Sequence, residues 1–220
     1  MAHGVEGLGK GAEARAERTR AAITAAAADQ FLEKGFLGTN MDEIAATAGV
    51  SKQTVYAHFE NKEALFLAMV RGMTGAAGDT FLEQVADPTG EEPVEEFLLE
   101  FARQQLRIVM TPRLMQLRRL VIGEVGRFPQ LGEALNEKGP GRSIGRLSRA
   151  FGVYNDKGAL SVDDVRRAAG FFNWLVMGGP VNDAMLLGDA AILGADAIEQ
   201  HVREAVRIFL AAYGRAPDAA

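Results

Sequence analysis

The chain has 220 residues, of which 48% are hydrophobic and 24% are charged, a composition that can bury an ordinary globular core. It contains no cysteine, which excludes disulfides, thiolate zinc sites and a cysteine nucleophile. The three histidines lie far apart and form no metal pair at helical spacing. The sequence therefore predicts no metal site, no cofactor and no catalytic residues.

The N-terminal segment and the overall hydropathy indicate a soluble protein. The first twenty residues are polar and rich in glycine, without the apolar core of a signal peptide. No apolar stretch reaches the length of about 18 residues that a membrane-spanning helix needs. We therefore expect a cytoplasmic protein that makes no membrane contact.

The charge balance argues against a broad basic surface. The net charge is −5, and residues 10–62 carry seven Lys or Arg and seven Asp or Glu. Because physiological salt screens charges beyond about 8–10 Å, phosphate binding depends on local charge. Any contact with DNA must therefore depend on a few well-placed groups.

Helical periodicity extends along the chain, and no alternating strand pattern with hairpin turns interrupts it. A first helix is predicted over Ala12–Lys34, where Ile23, Ala27 and Phe31 form one apolar stripe. Gly35 is expected to end this helix by adopting positive φ. The whole pattern predicts an all-α fold of about nine helices.

Three short polar signals predict the next helices. Asn40 is a good N-cap, and Glu43 stands three residues later, as a capping box requires. Ser51 caps a short helix, Lys52–His58, and Asn61 caps a fourth helix that runs toward Ala86.

Prolines and glycines divide the rest of the chain. Gly139-Pro140-Gly141 is expected to kink or split one helix, and Ser161 is expected to cap another, with Asp164 at its third position. The predicted helices span Pro93–Thr111, 112–127, 129–151, Val162–Leu187 and 194–213.

The segment 36–65 contains the features of a helix-turn-helix. Ala45 is a small residue that lets two helices approach closely, Gly49 permits a sharp turn, and Val50 can fill the corner. Ser51 then directs the N-terminal end of the following helix outward, where its free N–H groups can face phosphate.

Polar side chains of useful length project from this helix. Lys52 and Gln53 can reach base edges, Thr54 and Tyr56 can donate hydroxyls to phosphate, and His58 and Lys62 can reach the DNA backbone beyond. Two residues of the preceding turn complete the predicted DNA-binding set. The set is Thr39, Asn40, Lys52, Gln53, Thr54, Tyr56, His58 and Lys62.

Three arginines of the first helix, Arg15, Arg18 and Arg20, could form a DNA-steering arm, although a solvated face is the favoured interpretation.

This stretch resembles the DNA-binding domain of the TetR/AcrR (tetracycline-repressor-like) family. The matching positions are Gly35, Phe36, Thr39, Glu43, Ile44, Ala45, Ala48, Gly49, Val50, Ser51, Tyr56, His58, Phe59, Lys62, Glu63 and Leu65. Two positions depart from the pattern: Asn40 stands where Thr or Ser is usual, and Gln53 replaces a frequent glycine. The resemblance covers roughly residues 15–70.

The resemblance implies a homodimeric repressor that a small apolar effector releases from a palindromic operator on double-stranded DNA. It implies a flexible tail (1–14), a DNA-binding domain (15–62), an effector-binding and dimerisation domain (63–214) and a short flexible end (215–220). Its last two helices, about 162–187 and 194–213, would form the dimer interface.

Apolar residues of the second domain are candidates for the effector site. Methionine and phenylalanine suit an adaptable cavity, although each position could equally belong to the core. The candidates are Phe97, Phe101, Met110, Leu117, Val121, Trp174 and Met177. Trp174 could line the pocket or the dimer interface. Arg118, Arg119 and Glu124 could recognise a polar effector group, but a solvated face is favoured.

Two other classes of function stay open at this stage. A helical-bundle enzyme would need a nucleophile–base pair, a carboxylate constellation or a cofactor motif, and the sequence contains none of them. A protein-interaction module without DNA binding predicts that Tyr56→Phe and Lys62→Ala leave all partners bound, whereas a DNA-binding regulator predicts that each change weakens DNA binding.

Overall fold

The computed structural model describes residues 5–215, with side chains described from residue 11 onward. The predicted end segments 1–14 and 215–220 therefore lie partly outside the described residues. Within these limits the chain consists of helices, turns and loops, with one isolated β-bridge between Leu160 and Gly214. The all-α prediction is confirmed.

The α-helices are α1 (Val5–Gly38), α2 (Met41–Thr47), α3 (Lys52–His58), α4 (Lys62–Gln84), α5 (Val94–Val109), α6 (Pro112–Glu124), α7 (Pro129–Asn136), α8 (Arg142–Asp156), α9 (Val165–Leu187) and α10 (Ala195–Tyr213).

Helix α1 is longer than predicted, since it begins at Val5 rather than Ala12. Gly35 has the positive φ, 71°, that we expect of a residue ending a helix. It produces a kink instead, because one more helical turn follows and α1 ends at Gly38. The apolar stripe of Ile23, Ala27 and Phe31 is fully buried. This stripe anchors α1 in the core of the N-terminal region.

The glycine–proline segment splits the predicted helix 129–151. Gly139 leaves helical geometry, with φ −98° and ψ −108°, and Pro140 follows it inside a π-helical turn, Glu137–Gly141. This turn joins α7 to α8. The expected count of about nine helices therefore corresponds to the described part of the chain when α7 and α8 are counted as one broken helix.

The predicted N-cap and start of α9 are wrong. Asp164, not Ser161, is the N-cap of α9, because its carboxylate accepts bonds from the N–H groups of Arg166 and Arg167. The predicted first residue, Val162, is buried in the preceding loop, and its N–H donates to Asn155 Oδ1 at 2.9 Å. Tertiary packing thus holds this loop outside the helix.

The capping box of α2 is not formed. Asn40 Oδ1 accepts from the N–H of Asp42 at 2.9 Å, so the N-cap itself is confirmed. The carboxylate of Glu43 instead pairs with Lys34 Nζ at 2.5 Å. The N-caps Ser51 and Asn61 are confirmed, and each accepts a backbone N–H of the helix that follows it.

Two apolar cores organise the molecule. The first core joins α1–α4, which we call the head, to α6 and α7 through residues such as Leu117, Val121 and Leu131. The second core lies among the end of α4, α5, α8, α9 and α10 and includes Met115 of α6. We call α5–α10 the body, which α4 links to the head. Because α4, α6 and α7 lie between the two, a displacement in the body has packed routes to the head. No helix among the described residues is long and apolar enough to cross a membrane.

Candidate DNA-binding face and effector cavity

The turn between α2 and α3 is built as the sequence predicts. Gly49 adopts φ 67°, and the N–H of Val50 donates to the carbonyl of Ala45 at 3.0 Å. Ser51 Oγ accepts from the N–H of Thr54 at 3.1 Å. Only Val55 of α3 is fully buried, so this one side chain fixes the helix against the head and leaves its other faces outward.

Replacing Gly49 by alanine tests this turn. No heavy atom lies within 4 Å of a Cβ added at Gly49, so backbone strain at φ 67° is the expected cost. The free energy of unfolding should fall by about 1–2 kcal/mol. Gly152→Ala is the matched control, because its added Cβ also meets no atom within 4 Å but lies inside α8. That control should gain about 1 kcal/mol, and denaturant titration that gives both variants the same sign would contradict this account.

The outward face of α3 is polar. Lys52, Gln53 and Tyr56 are exposed, and Thr54 and His58 are half-buried. The Thr54 hydroxyl lies 2.8 Å from Ser51 Oγ, within the cap. Lys52, Gln53 and Tyr56 thus project from one short helix in a way that suits a DNA groove.

The C-terminal end of α3 is held by α1. Arg20 donates to the carbonyl oxygen of His58 at 3.0 Å, and its guanidinium lies 4.2 Å from the ring centroid of Phe59. This contact gives Arg20 a role that neither the DNA-arm nor the solvated-face interpretation includes. Because the two residues are 38 positions apart in sequence, only the fold brings them together.

Lys62 and Thr39 connect the start of α4 to the turn before α2. Lys62 Nζ donates to the carbonyls of Phe36 at 2.8 Å and Thr39 at 2.9 Å, and it lies 4.4 Å from the centroid of the Phe36 ring. Thr39 is buried, and its hydroxyl donates to the Gly35 carbonyl at 2.7 Å. Both predicted DNA contacts therefore stabilise the segment that carries the exposed Asn40.

An exposed ion pair covers part of the DNA-binding face. Lys52 Nζ lies 2.7 Å from Asp42 Oδ1, and this hydrogen-bonded carboxylate raises the pKa of Lys52 above its ordinary value. Exposed ion pairs contribute about 0–1 kcal/mol, so a phosphate or base acceptor can replace Asp42. Lys52 is thus an exposed cation on a head whose charges balance.

The body encloses a mostly apolar cavity of about 80 Å³. Helices α4 to α9 and the π-helical turn contribute its walls. Of the predicted effector residues, Leu117, Trp174 and Met177 line it. The cavity therefore lies within the segment predicted to bind the effector, and three of the seven predicted side chains line it.

Four of the predicted effector residues do not line the cavity. Phe97, Phe101 and Met110 belong to the body core, where Phe101 makes an edge contact with Phe81, which itself lines the cavity. Val121 packs in the core shared with the head. Helical periodicity identifies buried positions, but it does not indicate which of them border an unfilled space.

Sequence reasoning missed a buried pair of amide side chains in the cavity wall. Gln105 and Asn173 are 4% and 1% exposed, and Gln105 Nε2 donates to Asn173 Oδ1 at 2.8 Å. A signal for Gln105 was present, since it continues the i, i+4 spacing of Phe97 and Phe101. A polar side chain at a buried position of such a stripe needs a hydrogen-bond partner, which can be another side chain or a ligand.

The basic residues of α6 have different environments. Arg118 lines the cavity, where burial lowers the pKa of its guanidinium. Arg119 donates to the carbonyl of Ala184 at 2.9 Å and to Asp189 Oδ1 at 2.6 Å, so it fixes α6 to the end of α9. Glu124 is half-buried and does not line the cavity.

Large apolar side chains remain exposed on the last two long helices. Phe171 and Trp174 on α9 are 57% and 50% exposed, and Ile208 on α10 is 43% exposed. Leu186 and Leu187 at the end of α9 are exposed as well. Clustered exposed apolar surface on a soluble domain is typical of a protein interface.

Comparisons with known proteins agree with this geometry. The family model described as "Bacterial regulatory proteins, tetR family" matches residues 23–69, and the one described as "AefR-like transcriptional repressor, C-terminal domain" matches residues 96–215. Among curated relatives, the HTH-type transcriptional regulator RutR of Escherichia coli (strain K12) is 48% identical over 50 residues, 23% of this chain and 24% of RutR. This match thus spans about a quarter of that relative's length.

Solved structures match nearly the whole chain. A TetR-family transcriptional regulator from Mesorhizobium loti is 36% identical, with a TM-score of 0.84 over 91% of this chain and 99% of its own. The Flavonoid-responsive Regulator FrrA is 33% identical, with a TM-score of 0.74 over 91% of this chain and 100% of its own.

The fold and the polar face of α3 define a helix-turn-helix transcriptional regulator. Since the second family model alone matches more than half of its length, the chain belongs to the TetR family. The family resemblance of the sequence is thereby confirmed.

Proposed function

We propose that this TetR-family protein is a cytoplasmic homodimeric repressor that binds a two-fold symmetric operator and is released by a small molecule in the body cavity. The observation that carries the proposal is the outward polar face of α3, with Lys52, Gln53 and Tyr56 exposed above a single buried anchor, Val55. Two such helices in a symmetric dimer would enter successive major grooves. The protein acts by binding and needs no chemical turnover.

The exposed apolar residues of α9 and α10 support a dimer through these helices. A two-fold interface uses the same surface of both copies, so a single apolar patch is sufficient. Burial of Phe171, Trp174 and Ile208 would remove large apolar side chains from water. Because Trp174 also lines the cavity, the dimer interface and the effector site share a wall.

Helix α6 supplies a route from the cavity to the DNA-binding head. Arg118 lines the cavity, while Arg113 pairs with Asp29 of α1 at 2.7 Å and Gln116 donates to the carbonyl of Leu32 at 3.0 Å. An effector that binds better to a body with a displaced α6 would shift the head away from its DNA-binding position. The shift cannot exceed the difference between its affinities for the two conformations.

The cavity walls support an effector with an aromatic ring. Phe81, Trp174 and Met177 offer surfaces on which such a ring can pack. The related FrrA, 33% identical over almost the whole chain, is named as flavonoid-responsive, which favours an aromatic effector for this protein too.

Replacing Tyr56 by phenylalanine tests the DNA-binding face. The change removes one exposed hydroxyl that would donate to phosphate, so affinity should fall by about 1 kcal/mol or more for specific and unspecific DNA alike. The salt dependence should stay constant, because no charge is lost. Fluorescence anisotropy with labelled DNA measures both quantities.

Tyr213→Phe is the matched control, since it deletes the same hydroxyl from the end of α10. It should bind DNA as the unmodified protein does. Equal DNA affinities for both variants and the unmodified protein would show that the Tyr56 hydroxyl does not contact DNA. Failure of the unmodified protein to bind any DNA would refute the proposed function.

A further inference from the structure

We propose that the effector is a hydroxyl-bearing aromatic carboxylate, whose carboxylate pairs with Arg118 and whose hydroxyl bonds to the Gln105–Asn173 pair. The inference rests on the proposed function of the cavity as the effector site. Three independent properties of the wall carry it: its charge, its unsatisfied polar atoms and its shape.

The charged residues of the wall are all basic. Arg118, Lys138, Arg142 and Arg146 line the cavity, and no Asp or Glu among the described residues joins them. Two of these cations already have carboxylate partners outside the lining, since Arg142 lies 2.9 Å from Asp79 and Arg146 lies 2.6 Å from Asp87. The wall therefore favours an anion.

Arg118 and Lys138 are the two wall cations without a carboxylate partner among the described residues, and Arg118 is the more buried of them. No carboxylate in the described part of the chain lies within ion-pair distance of its guanidinium, although the residue is half-buried. Burial lowers its pKa, which means that the site disfavours the charge that Arg118 carries. A bound carboxylate reverses this penalty, and its two oxygens match the fork of the guanidinium.

The Gln105–Asn173 pair has one donor group and one acceptor left over. Their mutual bond leaves Gln105 Oε1 and Asn173 Nδ2 buried without a partner in the described structure. Reversing both amide assignments leaves the same inventory, one carbonyl and one NH₂ group. A hydroxyl satisfies both atoms, because it donates one hydrogen bond and accepts another.

The remaining wall is mostly apolar and suits a ring. Phe81, Met115, Trp174 and Met177 surround a space of about 80 Å³, and because a cavity of about 150 Å³ holds benzene, these walls must move apart to admit a substituted ring. A small anion without an apolar part, such as acetate, would leave these surfaces uncovered. An aromatic acid uses the charge, the amide pair and the apolar walls together.

The probes are 4-hydroxybenzoate, its neutral amide 4-hydroxybenzamide, and benzoate, which lacks the hydroxyl. The chain contains one tryptophan, Trp174, so intrinsic fluorescence reports binding at the cavity wall directly, and calorimetry gives the affinity. We expect 4-hydroxybenzoate to bind the intact dimer about 10-fold or more tightly than the amide. Benzoate should bind less tightly than 4-hydroxybenzoate.

Arg118→Gln should abolish the preference for the anion over the amide. Arg107→Gln, which changes an exposed arginine of α5 outside the cavity lining, is the matched control and should keep that preference. Circular dichroism checks that both variants are folded. Equal binding of anion and amide by the unmodified protein would overturn the inference without any variant, and so would the failure of both to bind at millimolar concentration.

A parallel measurement of DNA release separates this inference from the proposed function. If DNA is bound but the neutral amide binds the cavity as well as the anion, only the ligand class is wrong. A second outcome is that the anion is preferred and Arg118→Gln removes this preference, but the anion does not change DNA affinity. In that case the cavity binds the proposed ligand class and is not an effector site.

Discussion

Phe171→Asp should convert the dimer to a monomer and lower DNA affinity by about 100-fold or more. Each monomer then binds one half-site alone, without the avidity of two linked DNA-binding helices. Phe171 is 57% exposed in the single chain, so the carboxylate stays hydrated in the monomer. In a two-fold dimer the same change would bury two carboxylates in apolar surroundings. The folded monomer should therefore be retained while its association is lost.

Ile122→Asp is the matched control for this change. Ile122 is 54% exposed, close to the exposure of Phe171, but it lies on α6 and outside the proposed interface. Analytical ultracentrifugation should show a dimer for this variant and a monomer for Phe171→Asp. A dimeric Phe171→Asp protein with full DNA affinity would show that the exposed face of α9 is not the dimer interface.

Asp87→Ala should destabilise the protein more than Arg146→Met does, although Asp87 is far more exposed. Arg146 is 3% exposed, bonds to Asp87 at 2.6 Å, donates to the carbonyl of Val85 and lies 5.3 Å from the centroid of the Phe81 ring. Removing Asp87 leaves a buried guanidinium without its counter-charge, at a cost of about 3 kcal/mol. Removing Arg146 instead frees an exposed carboxylate to water.

Arg146→Met should cost about 1–2 kcal/mol, because methionine fills a similar space and needs no charge partner, while the carbonyl of Val85 loses a hydrogen bond. The double variant should then resemble Arg146→Met alone, since the cost of losing Asp87 disappears with the buried charge. Asp79→Ala is the matched control, because the exposed Asp79 pairs with a less buried arginine, Arg142. Denaturant titrations that rank Arg146→Met as the more damaging change would contradict this account.

Local signals predicted the DNA-binding head closely. The helix Lys52–His58 has the predicted bounds. Ser51 caps it and Asn61 caps α4, as predicted, because each N-cap bonds within three residues of itself. Gly49 adopts positive φ for an equally local reason. These features depend on short stretches of sequence and hardly on packing.

Features that depend on packing could not be predicted in the same way. Helix α9 begins at Val165 rather than at the predicted Val162, because Val162 is buried in the preceding loop and its N–H donates to Asn155. The role of Arg20 at the end of α3 depends on a contact across 38 residues. Periodicity alone could not separate Phe101, which fills the core, from Gln105, which borders the cavity one turn later.

Selection of bound sequences from random duplex DNA by the purified protein tests most directly whether two copies of α3 read DNA side by side. A dimer of this fold should enrich a two-fold symmetric site whose half-sites are separated by about one helical turn, 10–10.5 base pairs, or a multiple of it. Enrichment of an asymmetric site, or no enrichment by a protein that is dimeric, would contradict the account.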